Sequence, residues 1–314
     1  MNQLIRKSAR KMGNHFEITV SCGEEELGNQ MIESAFNLIS DIESQLSTYQ
    51  PTSDTSRIND AAGIEPVEVR KDTFELIVRC QRLSELTQGA FDITYGSVDK
   101  RLWNFDTQMT ELPDKSTAKR MVRLINFRNI ELDGTNCTVL LKEKGMRIGF
   151  GGIGKGYAAQ KTREWLREQG ITAGIVNASG DLTTWGLQPN GQAWTIGIAD
   201  PNQSGSIFSY LNVSDMAVAT SGNYEKFVMI NGKKYSHPID PRTGLPITGI
   251  KSVTILTPNA ELADALTTPV AIMGIEAGLD LINQLHQVEC IIIDDDDRIY
   301  TSKNIEWKDG KKTT

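Results

Sequence analysis

A glycine-rich stretch, GFGGIGKGYAAQ at residues 149–160, has the glycine spacing of two phosphate-binding motifs. A P-loop needs Ser or Thr after its Lys to hold Mg²⁺, and Gly156 stands there instead. A Rossmann fingerprint needs an acid at the tip of the second strand, which here ends in Val176-Asn177-Ala178, and Asp181 comes too late. Both motifs are therefore rejected. A helix start beside glycines and Lys155 can still bind an anion through free N–H groups, but a tight turn without a ligand explains the stretch equally well.

The segment YSHPIDPRTG contains His237, one of three histidines in the chain. Pro238 favours extended backbone at His237, and Asp240-Pro241-Arg242-Thr243-Gly244 has strong turn chemistry. A stiff loop that carries His, Asp and Arg side chains suits a functional site better than a plain hairpin connection does. His15 and His286 have no such neighbours, and we expect them to be structural.

Asp264 and Thr268 in the segment DALTTPVAIMG are four residues apart, so they share one face of a predicted helix. A carboxylate and a hydroxyl are hard oxygen ligands, which suit Mg²⁺ rather than zinc. The alternative is a solvated Asp and a Thr that bonds back to its own helix. In other segments, Tyr49 and Phe91 could stack on a planar ligand or belong to the core. The acidic run 294–297 is interpreted as a solvated turn.

The hydrophobic periodicity predicts an α+β protein with mixed sheets flanked by helices, because strands and helices do not alternate strictly. We expect one compact unit over residues 1–314, with either one lobe or two. The predicted helices cover residues 24–46, 72–88 and 155–169, and a further helix begins at about residue 259. The predicted strands cover residues 16–21, 171–179, 194–199, 216–221, 227–236 and 251–257 and the two sides of the acidic turn at 294–297. Two predicted hairpins turn at Asp133-Gly134 and at Asn231-Gly232. Asp72 is the expected N-cap of the second helix and Gly89 its C′ residue, while residues 49–60 are a predicted loop.

The chain has 314 residues and a net charge of −7 with no evident basic face, so nucleic acid is an unexpected partner. Its four cysteines are far apart and predict no disulfide framework. No apolar run approaches the roughly 20 residues of a membrane span, and the first 20 residues lack the apolar region of a signal peptide. We therefore expect a cytoplasmic protein, or a periplasmic or membrane-anchored one if a leader was removed.

The motifs together resemble the ApbE-type FAD:protein FMN transferases. The matching segments occur in family order and cover nearly the whole chain: KMGNHFEI, SQLSTYQPTSDTSRIN, GAFDITYGSVDKRLW, GGIGKGYAAQ, VNASGDL, VATSGNY, YSHPIDPRTG and DALTTPVAIMG. The resemblance implies an ApbE-like, T-fold-related fold. It also implies an enzyme that binds FAD and Mg²⁺, transfers FMN to a Thr or Ser of an acceptor protein through a phosphoester, and releases AMP.

The resemblance also assigns roles to residues at matching positions. His237 would be the base that activates the acceptor hydroxyl, and the metal ligands would be the side chains of Asp264 and Thr268 with the backbone carbonyl of Gly152. The implied FAD site comprises Met12, Tyr49, Ala90, Phe91, Asp92, Lys155 and Pro238.

Four positions depart from the family pattern: Asn14, Gly149, Gln160 and Pro238. Gly149 stands where members often carry Asp, so the flavin site has one carboxylate fewer. These changes bear on the affinity for FAD and on the metal site rather than on the fold. Two alternatives use the same residues: a Mg²⁺-dependent FAD pyrophosphatase in which water replaces the acceptor, and an FAD-binding accessory protein without turnover.

Overall fold

The secondary structure is that of the predicted α+β class. The computed structural model describes residues 2–200, 202, 207–222, 227–305, 307–308 and 311–312. The helices are α1 (Glu25–Leu46), α2 (Asp54–Asp60), α3 (Lys71–Leu86), α4 (Lys115–Met121), α5 (Gly154–Glu168), α6 (Ala260–Met273) and α7 (Ile275–Ile282). The strands are β1 (Gln3–Lys11), β2 (Asn14–Cys22), β3 (Val67–Glu68), β4 (Ile130–Asp133), β5 (Thr138–Leu141), β6 (Gly174–Ala178), β7 (Asp181–Trp185), β8 (Trp194–Ala199), β9 (Ile207–Val213), β10 (Ala217–Gly222), β11 (Phe227–Ile230), β12 (Lys233–Ser236), β13 (Ile250–Thr257), β14 (Glu289–Asp294), β15 (Ile299–Thr301), β16 (Trp307–Lys308) and β17 (Lys311–Lys312).

A large antiparallel sheet forms the centre of the described chain. Its strand order is β1-β2-β6-β7-β10-β13-β14-β15, and every neighbouring pair runs antiparallel. Short hairpins join β1 to β2, β6 to β7 and β14 to β15, whereas helices intervene between β2 and β6 and between β13 and β14. This order places strands from distant parts of the sequence next to one another in the sheet.

Both faces of the sheet are covered, which explains why β13 is buried along its whole length. Val253 and Ile255 point into the main core, where they join apolar residues of α1, α5 and α6 such as Ile39, Leu166 and Leu266. Leu256 belongs to a second cluster, which packs the sheet against the β8–β9 hairpin. Alternate residues of a strand face opposite sides, so one sequence serves both layers.

The long elements and the hairpins agree with the sequence-based predictions. Both predicted hairpins are present, although the first turns over residues 134–137, with Asp133 still in β4. In the second, Asn231 and Gly232 take the positive φ values of 51° and 76° that a type I′ turn requires. The cysteines in the described structure are free thiols. The first predicted helix is confirmed; Ile32 lies on its buried face, and Leu27 is exposed.

Three local predictions are wrong. The predicted loop at 49–60 contains α2, because Ser53 caps its N-terminus by accepting from the Ser56 N–H. Asp72 lies in the first turn of α3, whose N-cap is Arg70. Gln88 rather than Gly89 is the C′ residue, with φ of 53°, and both residues close a Schellman motif with N–H bonds to the carbonyls of residues 85 and 84.

The acidic run 294–297 forms a turn, as predicted, and Asp296 and Asp297 are exposed in it. Asp294 is buried and its carboxylate accepts hydrogen bonds from the backbone N–H groups of Asp296 and Arg298 and from the Tyr300 hydroxyl. Asp297 pairs with the ammonium group of Lys251. The carboxylates of this turn therefore stabilise the β14–β15 connection.

Candidate active site

A large open cavity of about 1140 Å³ lies where three distant segments of the chain meet. The glycine-rich turn 149–155 before α5 forms one wall, residues 237–239 and 241 after β12 form a second, and Thr268, Pro269 and Ile272 of α6 form a third. The turn between β1 and β2, the end of α1 and residues 90–93, 95 and 96 also contribute to the lining. Small-molecule sites in proteins commonly have volumes of about 300–1000 Å³, so this cavity has room for a dinucleotide.

Most of the residues expected at the site line this cavity. They are Met12, Tyr49, Ala90, Phe91, Asp92, Gly152, Lys155, His237, Pro238 and Thr268. Asp264 is buried just behind the wall, one helical turn before Thr268, where its Oδ1 lies 3.9 Å from the Lys155 Nζ. The fold therefore gathers the residues that the sequence singled out in separate segments.

The start of α5 is held against α6 by an unusually close approach at Gly156. A Cβ atom at Gly156 would lie 2.2 Å from the carbonyl oxygen of Ala260 and 2.6 Å from the Cβ of Asp264. Because glycine has no Cβ, the Gly156 N–H can donate to Oδ2 of Asp264 at 2.8 Å. The N–H groups expected to bind an external anion thus meet a carboxylate of the chain itself. The glycine that close packing requires lies outside the G-x-G-x-x-G pattern.

Asp264, Lys155 and Asp181 form a buried charge cluster at the junction of α5, α6 and β7. The Lys155 ammonium group hydrogen-bonds Oδ2 of Asp181, and both carboxylates are 5 to 7% exposed. Burial raises the pKa of Asp264 to about 6, against the opposing effect of the nearby Lys155 ammonium group, and the Asp181 carboxylate contributes to the rise. One ammonium group against two carboxylates leaves a formal charge of −1, which disfavours the ionised form of Asp264 and favours a further cation.

The donor set around Asp264 fits a divalent cation of the Mg²⁺ class. Its carboxylate, the Thr268 hydroxyl and the Gly152 carbonyl are oxygen donors, and Thr268 and Gly152 both line the cavity. The hydroxyl that bonds back to the helix is that of Thr267, which donates to the Asp264 carbonyl at 2.9 Å. Within the described residues, no group of three or more His, Cys, Asp or Glu side chains could hold a metal ion. A metal here would depend on the hydroxyl and the carbonyl as well as the carboxylate.

His237 stands at the end of β12 with an exposed side chain that lines the cavity. The ring of Phe105 approaches the imidazole edge-on, with 6.5 Å between ring centroids and 68° between planes. The other polar residues of this loop have a structural task, because Arg242 Nε and Nη2 each donate to the Asp240 carboxylate at 2.9 Å. The expected functional loop therefore presents one charged or titratable side chain to the cavity, His237.

About half of the apolar lining comes from the first third of the chain. Tyr49 is 94% exposed after the end of α1, whereas Ala90 and Phe91 are buried in the cavity wall. Asp92 has an internal role for its carboxylate, which accepts from the N–H groups of Thr94 and Phe127 at 2.8 and 2.9 Å. Burial raises the pKa of Asp92 despite these bonds. Its side chain fixes the turn, and the residue borders the cavity from there.

Sequence reasoning missed several polar residues of the site. Among them, Lys100, Arg147 and Ser221 line the cavity, and Asp181 binds Lys155 behind it. Asp181 lies in the motif VNASGDL, which supplied part of the family resemblance without a role for its acid. The turn chemistry of Ser179-Gly180, both with positive φ, was the available signal that this acid starts a rigid strand.

This chain is similar in sequence and in fold to known proteins. The ApbE protein of Thermotoga maritima superimposes with a TM-score of 0.84 at 29% identity over 96% of this chain and 97% of its own, and the flavin transferase ApbE of Vibrio cholerae does so with a TM-score of 0.82 at 27% identity over 96% and 98%. An FAD:protein FMN transferase of Klebsiella pneumoniae is 30% identical over 93% of this chain and 90% of its own length. One from Treponema pallidum is 31% identical over 87% and 80%.

The ApbE family profile matches residues 12–292, so this chain belongs to the ApbE family. The predicted family, α+β fold and enzyme class, FAD:protein FMN transferase, are thereby confirmed. Among the described residues, no helix has both the length and the apolar character needed to cross a membrane.

Proposed function

We propose that this protein transfers the FMN half of FAD to a Thr or Ser hydroxyl of an acceptor flavoprotein in a Mg²⁺-dependent reaction that releases AMP. The main support is the meeting of His237, Lys155, Thr268 and Gly152 in one cavity, with Asp264 directly behind them. A base, a cation and a set of hard oxygen donors around one cavity suit the cleavage of a diphosphate.

The proposed chemistry is a phosphoryl transfer from the diphosphate of FAD. His237 accepts the proton of the acceptor hydroxyl, whose oxygen then attacks the flavin-side phosphorus. A phosphoester bond forms, the bond from that phosphorus to the bridging oxygen breaks, and AMP leaves with this oxygen. Histidine is the side chain most often used for a proton transfer of this kind. General-base catalysis of this kind contributes about 10²- to 10⁴-fold.

The groups on the opposite wall stabilise the charge that develops on the diphosphate. Asp264, Thr268 and the Gly152 carbonyl would hold Mg²⁺, which acts as a Lewis acid on phosphate oxygens when bound. Lys155 lies beside this set and its side chain is 27% exposed at the cavity. Its ammonium group can therefore donate a hydrogen bond to a phosphate oxygen on the cavity side while it remains paired with Asp181 on the other side.

The remaining lining suits the rest of the FAD molecule. Tyr49 offers an aromatic face, and Met12, Ala90, Phe91 and Pro238 supply apolar surface at which a planar ring can stack. His237 is exposed at the open side of the cavity, which leaves it accessible to a hydroxyl on another protein. The acceptor must therefore present its Thr or Ser on a segment that can reach into this opening.

The experiment combines the protein with FAD, Mg²⁺ and a panel of candidate acceptor domains, and measures acceptor mass and AMP together. We expect one FMN added per acceptor and one AMP released per FMN. The variant His237→Ala should lose about 10²- to 10⁴-fold in rate while FAD affinity stays near that of the wild type. His286→Ala removes another exposed histidine and should behave as the wild type.

Two results would contradict this proposal. Absence of both FMN attachment and AMP release across all acceptors would exclude transfer. Release of AMP and FMN at the same rate when the acceptor is omitted would favour the pyrophosphatase, since an exposed His237 can also activate water. An equal loss of FAD binding and rate in His237→Ala would make the imidazole a ligand contact rather than a base.

A further inference from the structure

Asp181 is the one member of the buried charge cluster that has no role in the proposed reaction. It begins β7 immediately after the Ser179-Gly180 turn, and its partner across the β6–β7 hairpin is Ala178. Its Oδ1 accepts the backbone N–H of Thr220 on β10 at 3.3 Å, and its side chain is 7% exposed. Two strands of the central sheet therefore fix this carboxylate in place.

The other oxygen of this carboxylate decides where the Lys155 ammonium group rests. Lys155 Nζ hydrogen-bonds Oδ2 of Asp181 but stays 3.9 Å from Oδ1 of Asp264, which is beyond hydrogen-bond distance. Both carboxylates are buried, so each attracts an ammonium group strongly. The Lys155 ammonium group thus has two carboxylates within reach, and it is bound to Asp181, which is not one of the proposed metal ligands.

We infer that Asp181 is a positioning residue that holds the Lys155 ammonium group away from Asp264 and so keeps Asp264 available to a divalent cation. The inference rests on the proposed function, because it takes Asp264 as a metal ligand. Without the Asp181 charge, the ammonium group would close on Asp264 and occupy the place of the cation. The lysine would then be lost to the diphosphate as well.

The test measures Mg²⁺ binding by isothermal titration calorimetry without FAD, so it does not depend on turnover. Asp181→Asn keeps an acceptor for the Thr220 N–H but removes the charge, and we expect about 10- to 100-fold weaker Mg²⁺ binding. In the double variant Asp181→Asn with Lys155→Met there is no competing ammonium group. Its Mg²⁺ affinity should return to within about threefold of the Lys155→Met single variant.

The control is Asp215→Asn, which also removes a carboxylate paired with a buried cation, Arg163, but away from the cavity. It should bind Mg²⁺ as the wild type does, and circular dichroism should show that every variant is folded. Equal affinity in wild type and Asp181→Asn would overturn the inference and leave the proposed function intact. Weak binding that persists in the double variant would also overturn it, because Asp181 would then act on the metal or on the fold rather than through Lys155. A wild type that binds no Mg²⁺ would contradict the metal site of the proposed function itself.

Discussion

Replacing Asp264 by Asn should make the metal-free protein more stable at pH 8, although it removes a proposed metal ligand. The Asp264 carboxylate is buried beside the Asp181 carboxylate, and the nearby Lys155 ammonium group is bound to Asp181. Burial raises the pKa of Asp264 from an ordinary 3.8 to about 6. The ionised form of Asp264 is therefore unfavourable in the folded protein when no cation is bound. Asn resembles the protonated carboxyl group in size and shape.

The magnitude follows from the shift in pKa. A rise of about two units corresponds to about 3 kcal/mol, because each unit is worth about 1.4 kcal/mol. Between pH 3.8 and about 6 the folded protein binds more protons at Asp264 than the unfolded chain does, so its stability falls as the pH rises through this window. Above about pH 6 the ionised Asp264 destabilises the folded protein to the full extent, and below pH 3.8 this destabilisation is absent. At about 2 °C per kcal/mol for a large domain, Asp264→Asn should raise the Tm by about 5 °C at pH 8.

The assay is thermal unfolding in EDTA at pH 8 and at the lowest pH at which the protein stays folded. The gain in Tm of Asp264→Asn over the wild type should shrink at the lower pH, while Asp215→Asn should show no such gain. Added Mg²⁺ should raise the Tm of the wild type by mass action but leave that of Asp264→Asn unchanged. A variant that is less stable than the wild type in EDTA at pH 8 would refute the reasoning about the buried charge.

Two further substitutions test the glycine-rich stretch. Gly156→Ala puts a Cβ 2.2 Å from the carbonyl oxygen of Ala260, so we expect the free energy of unfolding to fall by about 1–3 kcal/mol and Mg²⁺ binding by calorimetry to weaken. The control is Gly151→Ala, whose Cβ meets nothing within 4 Å. Equal Tm values for the two variants would show that the close approach at Gly156 is unimportant. Gly149→Asp restores the carboxylate common in the family, and its Cβ meets only the Thr48 Cγ2 at 3.8 Å. We expect an unchanged Tm and tighter FAD binding in a fluorescence titration, whereas unchanged or weaker binding would show that this carboxylate is not what the flavin site lacks.

Local patterns were sufficient for the long helices and the hairpins. The apolar spacing predicts a first helix at 24–46, and the observed helix is Glu25–Leu46. Asn231-Gly232 predicts a tight turn, and both residues have positive φ. In contrast, α2 was not predicted, because its sequence is rich in Asp, Thr, Ser and Asn, which are typical of loops. The Ser53 cap and the burial of Ile58 override that composition, and burial depends on the tertiary fold.

The same distinction holds for the site: single segments identify some of its residues, and the tertiary fold determines which of them meet. The sequence identified His237, Asp264 and Thr268 from their own segments, but their convergence on one cavity depends on the strand order of the sheet. Asp181 and Lys155 are 26 residues apart and meet through the placement of β7 beside α5, which no local spacing reveals. The packing role of Gly156 depends on α6, which begins about a hundred residues later. These are the contacts that single-segment reasoning cannot supply.

The account rests on one site that joins a divalent cation, a diphosphate and an imidazole. A crystal structure with FAD and Mn²⁺ tests it most directly, because the anomalous signal locates the metal independently of the ligand. We expect one Mn²⁺ bound by the Asp264 carboxylate, the Thr268 hydroxyl and the Gly152 carbonyl, with the FAD diphosphate between this ion and His237. A metal bound elsewhere, or a diphosphate out of reach of the His237 imidazole, would contradict the account.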